Sequence, residues 1–100
     1  MTDRELLELA AKAAGVVFDG EWSDADRMSV QGDGWWNPLT DDGDALRLAV
    51  KLKLCLLWQH DYLMAYSGDV AERERDLSDP YAATRRAIVR AAAEIGRSME

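Results

Sequence analysis

Cysteine and histidine each occur once in this 100-residue chain, as Cys55 and His60. A lone cysteine excludes an internal disulfide and a tetrahedral zinc site built from cysteines. A lone histidine leaves only Cys55 or the neighbouring Asp61 for a catalytic pairing, and in a hairpin turn His60 is a polar turn residue. Long apolar runs are missing too: Leu54 to Trp58 falls far short of the roughly 20 residues that cross a bilayer. The N-terminus reads as a charged helix rather than a signal peptide, so a cytoplasmic protein is expected. Internal repeats and low-complexity tracts are absent. Bases are the minority, 12 against 19 acids, giving a net charge of -7. That balance argues against direct duplex binding.

What remains is the composition of an ordinary globular chain, 48% hydrophobic and 31% charged, long enough for one modest core and expected to form a single domain over residues 1 to 100. Its charge is unevenly placed. Between Asp19 and Asp44 stand eight acids, Asp19, Glu21, Asp24, Asp26, Asp33, Asp41, Asp42 and Asp44, and a single base, Arg27. The entire net charge therefore sits in one central segment, where it can set up a local negative field that attracts a basic partner. Trp22, Trp35 and Trp36 lie in the same segment.

Periodicity and punctuation divide the chain into alternating elements. Thr2 followed by Glu5 forms a capping box, Leu6, Leu9, Ala10 and Ala13 share a stripe, and Gly15 supplies a stop, predicting a helix over residues 3 to 14. Val16 to Trp22 and Arg27 to Gln31 read as strands around the polar turn Ser23 to Asp26. Gly32, Asp33, Gly34, Asn37 and Pro38 break regular structure and place Trp35 and Trp36 in or beside a loop. Thr40 reads as the N-cap of a second helix from about Asp41 to Lys51, with Asp41, Asp42 and Asp44 in its first turn. Leu46, Ala49 and Val50 form its expected apolar face, widened by Ala45, Leu48 and Leu52.

Leu54 to Gln59 and Tyr62 to Tyr66 read as a hairpin turning at His60 and Asp61. Residues 67 to 78 alternate in charge and read as a solvated loop or short helical turn. Asp79 before Pro80 starts the longest helix, in which Tyr81, Thr84, Ile88, Ala91, Ala92, Ile95 and Met99 share a face expected to cover a sheet. The fold class that follows is α+β in the order αββαββα, a small, mainly antiparallel sheet of about four strands packed with three helices.

The acids do not spell a metal site. A calcium loop starting at Asp24 and Asp26 places Met28 at the fifth position and Trp35 at the twelfth, where oxygen ligands are needed. Asp41, Asp42 and Asp44 diverge around a helix axis and serve the helix terminus. Cys55, among leucines, reads as a small buried residue rather than a nucleophile. No glycine loop cradles phosphate, so neither catalytic residues nor cofactors are expected. A carboxylate-dependent enzyme would need the acids to converge in a cleft. Arg85, Arg86, Arg90 and Arg97 read as a solvated face, with Arg90 four residues before Glu94, or as a secondary contact for an acidic partner. Of the four tryptophans, Trp22 and Trp58 read as core. Trp35 and Trp36, being adjacent, point to opposite sides if extended, which exposes one as an interface anchor.

Two stretches, Trp36-Asn37-Pro38-Leu39-Thr40-Asp41-Asp42-Gly43-Asp44-Ala45-Leu46-Arg47-Leu48-Ala49-Val50-Lys51-Leu52 and the alanine-rich run from Asp79 to Gly96, resemble the phage ABA-sandwich family, small proteins of tailed phages and prophages. The resemblance covers 35 of 100 residues. It implies a sheet between helical layers and a phage or mobile-element gene expressed in a bacterial cytoplasm, and it brings no catalytic residues. In size, charge and phage context the chain is also similar to anti-CRISPR proteins. The functional expectation is an inhibitor that binds a type I, specifically I-F, RNA-guided surveillance complex and blocks target DNA. Asp19, Glu21, Asp24, Asp26, Asp33, Asp41, Asp42 and Asp44 would supply charge, and Trp35 or Trp36 the anchor. The expected partner is a basic DNA-binding surface, not nucleic acid or membrane, bound by a monomer or homodimer. The competing expectation is a non-enzymatic accessory or structural phage protein whose acidity serves solubility.

Overall fold

The computed structural model describes residues 1–31 and 34–99. Its first helix, α1, spans Asp3–Ala14 and begins with the capping box read from the sequence: Thr2 Oγ1 accepts from Glu5 N, and Glu5 Oε1 accepts from Thr2 N. The Thr2 backbone N–H, followed by its hydroxyl, holds the Glu5 carboxyl below its ordinary value. This cap therefore contributes stability above the unfolded carboxylate range and loses it as pH falls through the lowered value. Gly15, at φ 71°, ends the helix in the left-handed conformation that costs other residues most. Leu7, Ala10 and Ala11 are its buried residues.

The first sheet is antiparallel, β1 (Phe18–Trp22), β2 (Met28–Val30) and β3 (Gly34–Trp36), in that spatial order. The first two strands match the expected hairpin; the third replaces the loop expected around Trp35 and Trp36. Only a partner reveals a strand of three residues: Trp36 pairs with Met28, and Trp35 with Ser29. The pleat then buries Trp36 and leaves Trp35 outside. Between Phe18 and Trp22 the register shifts at a bulge, where Gly20 takes φ 100°.

Helix α2 spans Asp42–Leu52. Its N-cap is Asp41, whose side chain accepts from Asp44 N, rather than Thr40, whose hydroxyl lies at hydrogen-bonding reach of Asn37 O. A carboxylate at the cap is favoured by both the free N–H groups and the helix dipole. The buried face also differs from the expected one. Ala45, Leu48 and Ala49 face the core, whereas Leu46 and Val50 are 65% and 68% exposed. An apolar stripe this wide offers two faces at the same period, and tertiary packing, including that against α3, selects the one carrying Ala45, Leu48 and Ala49.

The second sheet, β4 (Cys55–Trp58), β5 (Leu63–Ser67) and β6 (Val70–Glu74), is antiparallel in that order. The β4–β5 hairpin was legible; β6 was not, because its charges suggested solvent. Gly68 and Asp69 make the two-residue turn, with Gly68 at φ 58°. Glu72 and Glu74, on one face of β6, pair with Arg90 at 3.1 and 3.3 Å. Arg90 also donates to Arg73 O, so the expected Arg90–Glu94 pair gives way to a brace between strand and helix.

The last helix, α3 (Pro80–Arg97), is capped by Asp79, whose side chain accepts from Tyr81 N and Ala82 N. It packs against α1, α2, β5 and β6 and is buried on two sides. Ala87 and Ala91 meet Leu63 and Ala65 of β5. Ile88, Val89 and Ala92 join Leu7, Ala10, Met28, Val30, Trp36 and Leu48 in the main core. Tyr81 and Met99, assigned to the sheet-covering face from periodicity, are exposed. The α+β class stands, with element order αβββαβββα and, among the described residues, six strands in two small sheets.

Candidate partner-binding surface

Four acids of the central segment are engaged by neighbouring groups of the fold. Asp26, held at φ 56° in the β1–β2 turn, forms an ion pair with Arg4 at 2.7 Å. Arg4 also lies over the Trp22 ring, 4.7 Å from its centre, and Phe18 packs against that ring from another side. Asp41 caps α2, and Asp42 pairs with Arg85 at 2.7 Å while the same guanidinium donates to Leu39 O. Asp44 is buried, accepts from Asn37 N at 2.9 Å and pairs with Arg47 at 2.7 Å. These four carboxylates are engaged within the fold, Asp41 as a cap and Asp44 as a buried acceptor, Asp26 and Asp42 as exposed surface pairs. Asp33 lies outside the described residues.

The remaining three belong to the β1–β2 hairpin. Asp19 accepts from Ser29 Oγ across the strands and from Glu21 N. Glu21 and Asp24 are exposed, and neither carboxylate has a side-chain partner among the described residues. Ser29 stands opposite Trp35 in the ladder, so Asp19, Ser29 and Trp35 run in a row across the outer face of the sheet. Trp35 is 45% exposed and Trp36 only 6%. Of the two candidate anchors, the geometry leaves Trp35.

Trp35 also lines a recess of about 550 Å³ with Ala14, Leu48, Arg47 and Lys51. It thus stands between an acidic hairpin and two cations of α2. In that recess Arg47 is already paired with Asp44, which also lines it, and Lys51 adds a positive charge.

The arginines of α3 are not a free cationic stripe. Arg85 reaches Asp42, Arg86 reaches Asp3, Arg90 reaches Glu72 and Glu74, and Arg97 reaches Glu94. A secondary contact with an acidic partner would compete with these pairs. Among the described residues no group of three or more His, Cys, Asp or Glu side chains could hold a metal ion. No described helix is long and apolar enough to cross a membrane.

Several placements differ from expectation. Trp22 is half-buried as a ring clamped by Arg4 and Phe18, and Trp58, expected in the core, is 52% exposed on β4. Cys55 is exposed instead of buried, because its partner Tyr66 and its neighbour pair Leu57–Met64 lie on the sheet face away from α3. Its thiol is expected to react fully with Ellman's reagent in native buffer. Labelling that requires denaturant would contradict this placement.

One organising residue escaped the sequence reading. Asn37, 2% exposed, donates through Nδ2 to Asp26 O, accepts at Oδ1 from Leu39 N and donates its own N–H to Asp44. In sequence it registered only as a loop breaker. Its position before proline in Asn37-Pro38 was the available signal for a built turn.

No family model, no curated protein and no solved structure matches this chain. The functional reading therefore rests on the resemblance noted in the sequence and on the arrangement of the chain's own residues.

Proposed function

We propose that this protein is a non-enzymatic inhibitor encoded by a phage or mobile element, of the ABA-sandwich kind its sequence resembles, acting in the host bacterial cytoplasm. It binds a type I RNA-guided surveillance complex, I-F being the first candidate, and blocks target DNA. The observation that carries this reading is the outer face of the β1–β2–β3 sheet, where exposed Trp35 shares a row with Asp19, on a hairpin that also carries the exposed carboxylates of Glu21 and Asp24, which have no side-chain partner among the described residues. Such complexes hold DNA through Lys and Arg at its backbone and at the PAM, so carboxylates placed there compete for the same cations. The ring supplies the desolvated anchor that charge alone lacks. Among the described acids, Asp19, Glu21 and Asp24 are the carboxylates proposed to contact the partner, and Asp33, outside the described residues, stays in the proposed set.

The test is co-elution of the purified protein with a type I-F complex, with target DNA added before or after. Stoichiometric association that prevents later DNA binding is the expected result. Asp19→Lys, Glu21→Lys and Asp24→Lys together should weaken association at least tenfold, and more at low salt, with the thermal melt little changed. Unchanged affinity in that variant would remove the charge-competition mechanism. A second reading, a phage accessory protein with a structural role, is favoured by one specific observation: Asp26, Asp41, Asp42 and Asp44 all serve the fold. Failure to associate with the complex while remaining folded would select it.

A further inference from the structure

Large apolar side chains that the core does not use lie together in a groove that no residue of the acidic hairpin lines. Leu46 of α2, Leu56 and Trp58 of β4, and Tyr81 of α3 line a groove of about 470 Å³, with Ile88 among its walls. Val50 continues the exposed stripe one turn after Leu46. Together the five exposed side chains present on the order of 400–500 Å² of apolar surface, within the range of the largest patch a monomer shows and short of the ~800 Å² per partner of a standard interface.

The groove is bordered by an unguarded sheet edge. β4 is an edge strand, and Cys55, Leu56, Leu57 and Trp58 include no charge and no proline. The other edges are protected or short: β1 has a bulge with Asp19 and Glu21, β6 carries Glu72, Arg73 and Glu74, and β3 has three residues beginning at Gly34 with φ 77°. Gln59 N donates to Tyr62 O, so by alternation Cys55 and Leu57 also turn their backbone groups toward β5. The N–H and C=O groups of Leu56 and Trp58 therefore point out of the sheet edge.

We infer that this edge and groove are the interface of a two-fold homodimer, in which β4 pairs antiparallel with β4 of a second copy. A two-fold axis through Leu57, perpendicular to the sheet, preserves the pleat and sets Leu56 opposite Trp58 of the second copy. Each of the two Leu56–Trp58 pairs exchanges two backbone hydrogen bonds, four in all. The three-stranded sheets join into one of six strands, and both grooves lie on the helix-covered face and merge across the axis. The paired backbone supplies contact area that the apolar patch alone does not reach. Electrostatics do not oppose this contact: Asp19, Glu21 and Asp24 contribute nothing to the groove, and its charged residues Asp42 and Arg85 neutralise each other. A second copy fits better than an unrelated peptide, because the same strand satisfies its own outward groups and the same apolar patch is offered by both sides.

Sedimentation equilibrium of the full chain between 1 and 200 µM is expected to give twice the chain mass at the upper end. Trp58→Lys should raise the dimer dissociation constant at least tenfold, whereas Ala71→Lys on the opposite edge should leave it unchanged. Trp58→Lys also touches the fold's surface, so a second variant reads geometry directly. In a Cys55→Ser background, Leu57→Cys places two thiols across a non-hydrogen-bonded pair, about 4.5 Å between Cα atoms, within disulfide reach. Mild oxidation should then yield a covalent dimer whose circular dichroism matches the parent. A monomer at every concentration, a dimer indifferent to Trp58→Lys, or the absence of the Leu57→Cys cross-link would overturn the proposal.

Discussion

Replacing Gly96 with alanine is expected to destabilise the protein by about 2–3 kcal/mol, although alanine is the better helix former by ~1 kcal/mol. Gly96 lies in the last turns of α3 where that helix meets α1. A Cβ built there would overlap the carbonyl oxygen of Leu9 and stand 2.9 Å from its carbonyl carbon. The obstacle is helix backbone, which cannot rotate away like a side chain, so the helices must separate. That movement would open the core around Leu7, Ala10, Val89 and Ala92, all fully buried. In a 100-residue domain such a loss corresponds to a fall of roughly 10–20 °C in melting temperature. A thermal melt followed by circular dichroism measures it; a melting temperature equal to or above the parent's would mean that the α1–α3 contact is not as close as described.

Asp44→Ala should cost about 2–3 kcal/mol for a different reason. The carboxylate is 9% exposed, accepts the Asn37 N–H and pairs with Arg47. Removing it leaves a buried backbone donor unsatisfied, a penalty of ~1–3 kcal/mol, and takes a negative charge from the first turn of α2, worth ~0.3–1 kcal/mol. Asp44→Asn keeps an acceptor oxygen and should recover about half of the loss. Asp24→Ala, at an exposed carboxylate without a partner, should stay within about 0.5 kcal/mol of the parent. Urea denaturation of the three variants checks the ranking. Equal stabilities would remove the distinction between carboxylates that hold the fold and those available to a partner. The distinction matters for binding experiments, since a loss of affinity in an Asp44 variant reports on folding before it reports on charge.

The helices were legible in sequence almost to the residue, because their signals are local. A capping box at Thr2 and Glu5, a left-handed glycine at position 15 and the Asp79-Pro80 pair each act within one turn. Strand pairing is not local. β3 and β6 went unread because three residues, or five carrying Glu, Arg and Glu, gain strand character only from what lies beside them. Gly68-Asp69 was the one sequence cue to the second of these, a two-residue turn.

The candidate site was half legible. Composition located the acidic segment and its tryptophans, and adjacency required Trp35 and Trp36 to diverge if extended. It could not tell Asp24 from Asp44, since the difference is made by Asn37 N and Arg47, contacts created only when the β3–α2 connection closes. Nor could periodicity choose between the two apolar faces of α2. Tertiary packing, including that against α3, buries Ala45, Leu48 and Ala49 and leaves Leu46 and Val50 outside, beside β4.

By itself the sequence determined the α+β class, the three helices with the bounds of the first and the start of the last, the two hairpins β1–β2 and β4–β5, and the exclusion of disulfide and cysteine–zinc chemistry. These follow from residue counts and from interactions within about one helical turn or one tight loop. Only the tertiary structure decided which carboxylates are structural, which tryptophan is exposed and which apolar face remains uncovered. Each of those outcomes depends on residues distant in sequence, such as Arg85 reaching Asp42 or Arg90 reaching Glu74, and on the steric limit that Leu9 and Gly96 impose on the helix crossing.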